Sequence, residues 1–256
     1  AIKTDGTLWT WGSGSAGVLG NNSTNAVSTP TQVGYLNNWV SITGGNSWAG
    51  AITSYTQGFS PVDMADMFIP KDLFLNSGLW TWGTNSSGQG GINLTTSYLS
   101  PITVGNLTNW RQVSCGYKHT IAAKIDGTLW ASGNNQYGQL GNSTVTYYSS
   151  PIQIGALNNW RQIFNGRFTT NAIKTDGTLW AWGNNQHGTL GNNTVVYYSS
   201  PIQIGTLTNW KSISCSYSSI AVKTDNTLWA WGANQTGQLG NNTCLLYTSD
   251  AADDLL

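Results

Sequence analysis

The chain has 256 residues, of which only 8% are charged, and ten basic residues balance ten acidic ones, all of them aspartate. This balance, without a basic run, argues against nucleic-acid binding, and no apolar run approaches the roughly 18 residues that a membrane helix needs. Fourteen tryptophans exclude a disordered low-complexity chain, and the abundant Asn, Thr, Ser and Gly favour strands and turns over helices.

A tandem repeat runs along the chain. The pair Leu-Trp recurs with gaps of 71, 50, 50 and 49 residues, ending at Trp9, Trp80, Trp130, Trp180 and Trp229. Two other markers keep the same register: the pair Asn-Trp, ending at Trp39, Trp110, Trp160 and Trp210, and the prolines Pro30, Pro101, Pro151 and Pro201. The markers divide the chain into a partial blade 1–36, blades 37–107, 108–157 and 158–207, and a partial blade 208–243.

Each unit contains the signals of four short strands. In the unit 158–207 the predicted strands are Arg161–Phe164, Thr170–Thr175, Leu179–Gly183 and Pro201–Ile204. Asp176-Gly177 predicts a tight hairpin turn between the second and third strands. The proline at the head of the fourth predicts a strand start or a sheet edge. Four strands per unit, repeated, predict an all-β propeller of four-stranded antiparallel blades.

The paired tryptophans predict blades that are apolar on both faces. Trp180 and Trp182 lie two residues apart and share one face of a strand, while Leu179 and Ala181 share the other. A sheet packed between two neighbours needs this pattern. The blade in which Ser132 replaces the second Trp is expected to be the weakest packed. The alternative role for these tryptophans is an exposed sugar-binding platform.

An insert interrupts the second unit. Between Ser54 and Leu79 lie 24 residues, where a full unit has only the three turn residues 176–178. Val62–Phe68 could form two helical turns, which Pro70 would end. The insert 55–78 is either a lid over apolar surface or a projecting recognition element. In the second case the candidate contacts are Phe59, Met64, Met67, Phe68 and Phe74.

The last residues break the repeat after Thr243. Residues 244–256 resemble one translated frame of a sequencing-library adapter, so we expect a non-native tail on a fragment from a metagenomic DNA read. Without the three aspartates of the tail, the net charge becomes +3, which leaves the interpretation unchanged.

Several motifs hold their order and spacing in the third unit. Residues 114–120 read SCGYKHT, 126–127 read DG, 130–134 read WASGN and 138–141 read GQLG. This pattern resembles the regulator of chromosome condensation repeat family, in a divergent bacterial or viral branch. The resemblance implies a seven-bladed propeller of four-stranded blades that serves as an interaction platform. Because this chain holds three complete units and two partial ones, which are too few for seven blades, we expect an incomplete ring, with a smaller closed ring as the alternative.

The other units depart from the family pattern at the histidine position. Trp48, Thr170 and Ser219 fall at or near the place of His119. Asn226 replaces the glycine of the last hairpin turn, and residues 89–91 read QGG in place of QLG.

Motifs for catalysis, cofactors or metals are missing. The two histidines, His119 and His187, form no Ser/His/Asp or Cys/His set, and we interpret the first as structural and the second as a loop residue. The aspartates Asp5, Asp126, Asp176 and Asp225 are interpreted as turn residues. The glycines of residues 12–17 fit a dinucleotide motif, but the aligned segments of other units indicate an ordinary loop.

The cysteines do not predict zinc either. Cys115 and Cys215 occupy matching places in two units and are interpreted as small buried hydrophobes, and Cys244 lies in the tail. No enzyme activity, cofactor or metal is therefore predicted.

The predicted function is that of a non-enzymatic protein-interaction platform with an unidentified protein partner. The candidate contacts lie in the loop before the second strand, where units differ: Tyr117, Lys118, Arg167, Phe168 and Tyr217. The first alternative is a carbohydrate-binding or adhesive propeller. The second is guanine-nucleotide exchange on a small GTPase, in which only the insert could disturb the nucleotide site. Composition favours a bacterial surface, secreted or virion protein.

Overall fold

The computed structural model describes residues 1–54 and 77–241. Apart from a single 3-10 turn at Ser15–Gly17, the regular structure of these residues is β-strand. The strands are β1 (Trp9–Gly12), β2 (Val27–Gln32), β3 (Trp39–Gly44), β4 (Trp48–Thr53), β5 (Gly78–Gly83), β6 (Tyr98–Thr103), β7 (Trp110–Cys115), β8 (His119–Lys124), β9 (Leu129–Gly133), β10 (Tyr148–Gln153), β11 (Trp160–Asn165), β12 (Thr169–Lys174), β13 (Leu179–Gly183), β14 (Tyr198–Gln203), β15 (Trp210–Cys215), β16 (Ser218–Lys223) and β17 (Leu228–Gly232).

The strands form consecutive antiparallel meanders. Three four-stranded sheets comprise β3 to β6, β7 to β10 and β11 to β14, and they lie between a two-stranded sheet of β1 and β2 and a three-stranded sheet of β15 to β17. Within the described residues these sheets are propeller blades that do not close into a ring. The prediction of an all-β, incomplete propeller of four-stranded blades is confirmed.

One strand boundary differs from the prediction. The first three strands of the third full blade begin and end within about two residues of their predicted bounds, but β14 starts at Tyr198, three residues before Pro201. Proline therefore does not begin this strand, but the other predicted setting, a sheet edge, is confirmed. The pairing of β14 with β13 shifts between Ala181 and Gly183, so the missing N–H of proline lies in an irregular stretch of an edge strand.

The hairpin turns are formed as their residues predict. Asp176 Oδ1 accepts hydrogen bonds from the backbone N–H and the hydroxyl of Thr178, at 3.0 and 2.7 Å, and Gly177 has a φ of +81°. The same bonds form in the other three described turns, between Asp5 and Thr7, Asp126 and Thr128, and Asp225 and Thr227. The hydrogen bonds from the Thr178 side chain and backbone also lower the pKa of Asp176.

Tryptophans hold neighbouring blades together. Trp182 is fully buried, its ring packs 6.0 Å from that of Trp160, and its Nε1–H donates to the carbonyl of Gln139 in the preceding blade at 3.0 Å. Trp82 and Trp231 donate in the same way to the preceding blades. On the opposite face of the strand, Leu179 and Ala181 are also fully buried. The blades are therefore apolar on both sides, as predicted.

Two residues at positions equivalent to Trp182 do not pack between blades in this way. Ser132 is buried, and its hydroxyl donates at 3.3 Å to the carbonyl of Gln89, which is the repeat equivalent of Gln139. Trp11, which is equivalent to Trp182, is 50% exposed. The weaker packing expected of the Ser132 blade stays a prediction.

The meander gives the propeller two distinct ends. The loops between the first and second strands of a blade, and between its third and fourth strands, lie at one end, which we call the loop end. The Asp turns and the links between blades lie at the opposite end, which we call the turn end. Thr53 pairs with Gly78 at the turn end, so the insert leaves the blade there.

Some predictions fall outside the described residues. They are the helical turns at Val62–Phe68, the insert contacts Phe59, Met64, Met67, Phe68 and Phe74, and the adapter-like tail 244–256.

Two absences apply to the described part of the chain. None of its helices could span a membrane. The loop of residues 12–17 passes through the 3-10 turn to β2, and no α-helix follows it before Ser54, so the dinucleotide motif lacks its helix there.

Candidate functional site

The loops that connect the first and second strands of a blade are tight, so their middle residues cannot fold back into the blade. Gly116 N–H bonds to the carbonyl of His119 at 2.8 Å, and Gly166 bonds in the same way to Thr169 at 2.9 Å. A Cβ at Gly116 would lie 2.1 Å from the His119 ring, so glycine is needed for this close approach. The two residues between each pair of partners therefore project from the loop end.

These projecting residues meet across three blades. The guanidinium Cζ of Arg167 lies 4.8 Å from the ring centroids of both Tyr117 and Tyr217, which belong to the preceding and following blades, and 5.2 Å from that of Phe168. Lys118 Nζ lies 5.6 Å from the Tyr117 ring. The structure thus brings together all five predicted loop contacts, and we call these residues the loop-end cluster.

The loops between third and fourth strands add aromatic residues that the sequence analysis did not select as contacts. Tyr137 packs 5.2 Å from Phe168 and 5.5 Å from Tyr197, and His187 lies 6.4 Å from Tyr217. A usable signal was present: in an antiparallel meander the first and third connections emerge at the same end, and Tyr137 and His187 occupy one variable position of these loops.

Buried asparagines hold the longer loops in shape. Asn135 is fully buried; its Nδ2 donates to the carbonyl of Thr144 at 2.9 Å, and its Oδ1 accepts from the N–H of Leu140 at 2.9 Å. Asn185 makes the equivalent bonds in the next blade. Such satisfied amides fix the backbone of the loop, so the aromatic side chains stand on a preorganised frame.

Two depressions flank the loop-end cluster. One has a volume of about 180 Å³, and its walls include Tyr137, Phe168, His187 and Tyr217. The other is wider, about 450 Å³, and lies over the loops that follow the first strands of four blades, beside Tyr117, Arg167 and Tyr217. The cluster therefore lies between one hollow of about 180 Å³ and a wider, shallower depression.

The two cysteines of the described residues are not activated as nucleophiles. Desolvation raises the pKa of Cys215 to about 12 and that of Cys115 well above its ordinary value, so both remain thiols at neutral pH. No group of three or more His, Cys, Asp or Glu side chains in residues 1–54 and 77–241 could hold a metal ion.

His119 is fully buried at the interface between blades. Its Nε2 lies 3.3 Å from the hydroxyl of Thr170, and burial lowers its pKa from 6.5 to about 3. The strand pairing places Trp48, Thr169 and Ser218 at its position in the other blades, so Thr170 and Ser219 each lie one residue beyond it.

Acidification should destabilise the protein through His119. His119 has a pKa near 6.5 in the unfolded chain and about 3 in the folded chain, so at intermediate pH the unfolded chain binds the proton more readily. The free energy of unfolding is therefore highest above pH 6.5 and falls as the pH drops from 6.5 toward 3. Between pH 7 and pH 5 the expected loss from this residue is about 2 kcal/mol. Urea unfolding at both pH values measures it, with His119→Thr as control because Thr169 occupies the same repeat position. An equal pH dependence in both proteins would contradict the assignment.

The fold and the loop end define a propeller of tandem repeats with a concentrated aromatic surface. The family described as Regulator of chromosome condensation (RCC1) repeat matches residues 5–52, 76–123, 126–173 and 176–222, and a second profile of this repeat matches residues 110–139. The chain belongs to the regulator of chromosome condensation (RCC1) repeat family. The resemblance noted in the sequence is confirmed.

Solved structures show the same fold at low identity. Human WBSCR16 is 18% identical with a TM-score of 0.77, over 95% of this chain and 66% of that chain. Yeast RCC1 (Prp20), in a structure with Kap60 bound, is 17% identical with a TM-score of 0.78, over 98% and 57%. Prp20p from Saccharomyces cerevisiae, in a study of its binding to Gsp1p and histones, is 19% identical with a TM-score of 0.78, over 98% and 59%. This chain spans less than two thirds of each of these proteins.

Proposed function

We propose that the chain is a non-enzymatic protein-interaction module and that its contact surface is the loop end. The observation that carries the proposal is the position of Arg167, whose guanidinium packs against three aromatic rings supplied by three successive blades. Tyrosine and arginine are enriched among the residues that contribute most binding energy at protein interfaces. Tyrosine buries a large area with little loss of conformational freedom, and the guanidinium of arginine offers several hydrogen-bond donors. A structure of yeast RCC1 with a bound protein, Kap60, supports this use of the fold.

The burial of the tryptophans favours a protein partner over a glycan. A sugar-binding platform needs exposed aromatic faces, whereas Trp182 and its equivalents Trp82 and Trp231 are occupied between blades. Trp11 alone among the fourteen is exposed, at 50%, and it lies outside the loop-end cluster. The exposed aromatic residue of the loop-end cluster is Tyr217, and tyrosine is enriched at protein interfaces.

A selection of peptide ligands tests the proposal. Peptides selected from a phage-displayed random library should bind the double variant Tyr117→Ala/Tyr217→Ala at least tenfold more weakly than the unchanged protein, because the loss of two aromatic contacts removes hot-spot energy. Affinities can be measured by fluorescence anisotropy of the labelled peptides.

The matched control removes apolar side chains from the turn end. Leu107 and Leu157 are exposed in the links between blades, and Leu107→Ala/Leu157→Ala should change the same affinities less than twofold. The proposal would be overturned if the peptides kept their affinity for the tyrosine double variant and lost it for the leucine double variant.

A further inference from the structure

Arg167 differs from the two other arginines of the chain. The guanidiniums of Arg111 and Arg161 each donate to the carbonyl of the first-strand Trp in the next blade, at 2.8 and 2.9 Å. The Nε–H of Arg167 is buried without a partner, but so is that of Arg161. The distinction lies in the terminal NH2 groups, because the side chain of Arg167 makes neither a hydrogen bond nor an ion pair with any described residue. Its contacts are aromatic, so its donor groups are left for a ligand.

Acidic residues are absent from the described part of the loop end. The four described aspartates all lie in hairpin turns at the turn end, where each accepts hydrogen bonds from a threonine. Lys118 and Arg167 at the loop end therefore carry positive charge without a neighbouring carboxylate. The Debye length is about 10 Å at 0.1 M salt, so the aspartates at the far end barely offset this charge.

The surroundings of Arg167 match a carboxylate on a peptide. Guanidinium forms paired hydrogen bonds with carboxylates, and aromatic rings packed on its faces leave its edge available for them. A phosphorylated side chain carries a charge of about −1.5 to −2 at neutral pH, whereas a single guanidinium matches the single charge of a carboxylate.

The hollow beside Arg167 can hold a neighbouring side chain of the peptide. Its volume is about 180 Å³, and its walls include Tyr137, Phe168 and Tyr217. An apolar side chain next to the bound carboxylate would bury its surface against these rings.

We propose that Arg167 is the receptor for an Asp or Glu side chain in an acidic segment of a protein partner, with the adjacent side chain of that segment in the hollow lined by Tyr137, Phe168 and Tyr217. This inference rests on the proposed function and specifies its partner chemistry. The segment binds across the loop end, and its affinity falls as the salt concentration rises.

Paired peptide libraries test this inference. The probes are pentapeptides with neutral residues at four positions and either Glu or Gln at the centre, acetylated and amidated so that the central residue carries the only charge. The unchanged protein should retain the Glu library at least tenfold more strongly than the Gln library at 50 mM NaCl, and the preference should shrink at 300 mM.

Substitutions assign the preference to one residue. Arg167→Met should reduce the preference for Glu to less than twofold, and Arg167→Lys should retain part of it. The control Lys211→Met removes an exposed charge at the turn end and should leave the preference unchanged. Each variant is first shown to unfold at the same urea midpoint as the unchanged protein.

The outcomes separate this inference from the proposed function. Suppose that the protein retains the Glu and Gln libraries equally and that Tyr117→Ala/Tyr217→Ala abolishes this binding. The proposed interaction surface would then be supported, and the proposal that Arg167 binds a carboxylate would be overturned. A Glu preference that survives Arg167→Met would also overturn it. Binding of sulfated or sialylated glycans through Arg167, without a preference for Glu peptides, would replace the acidic peptide by an acidic sugar.

Discussion

Replacing Trp182 with alanine should lower the free energy of unfolding by about 3–5 kcal/mol. The side chain is fully buried between two blades, where it packs on Trp160 and donates a hydrogen bond to Gln139. Alanine would leave a large cavity at the blade interface and remove one of the two hydrogen bonds that the Gln139 carbonyl accepts, the other coming from the Thr170 hydroxyl. Equilibrium urea unfolding, followed by circular dichroism, measures the loss.

The repeat supplies a matched control for this substitution. Trp11 occupies the same position in its own blade but is half exposed, so Trp11→Ala should cost less than about 1 kcal/mol. Similar losses for the two variants would contradict the account, because they would mean that contact between blades does not determine the contribution of this tryptophan.

Replacing Gly177 with asparagine should cost about 2–3 kcal/mol. A Cβ at this position would lie 1.9 Å from the carbonyl oxygen of Thr208. This oxygen belongs to the backbone of the link to the following blade, so relieving the clash requires a backbone shift. Asparagine is the informative substitute, because it tolerates positive φ and stands at the same turn position as Asn226, with a φ of 66°. The loss therefore reports the clash and not the turn conformation.

The control for Gly177→Asn is the same substitution at an uncrowded glycine. Gly155 has a φ of +59° and no atom within 4 Å of its ideal Cβ position, so Gly155→Asn should cost less than about 1 kcal/mol. If both variants lost the same free energy, the close approach between turn and link would not be the cause.

Much of the fold was predictable because its signals are local. Asp176-Gly177 specifies a turn through a side-chain hydrogen bond and a positive φ, and the alternation around Trp180 specifies a strand buried on both faces. The start of β14 was missed because it depends on a bulge opposite Gly183. The residues before Pro201 carry no local signal for this pairing between strands.

Only part of the candidate site was predictable, because the repeat relates equivalent loops but does not show which different loops meet in space. Tyr117, Arg167 and Tyr217 could be selected because they follow equivalent strands in successive units and are good contact residues. Tyr137 was missed because it belongs to another loop and meets Phe168 only through packing between blades. The unpaired state of Arg167 also depends on three-dimensional surroundings, because Arg161, of the same type and in the same unit, is engaged.

The most direct test of the account is to locate a bound peptide on the propeller. A benzophenone amino acid can replace Tyr197, which is exposed at the loop end, or Leu157, which is exposed at the turn end. After irradiation with a peptide from the phage selection, mass spectrometry counts the adducts formed at each position. The account predicts adducts from position 197 and none above background from position 157, and adducts from position 157 alone would contradict it.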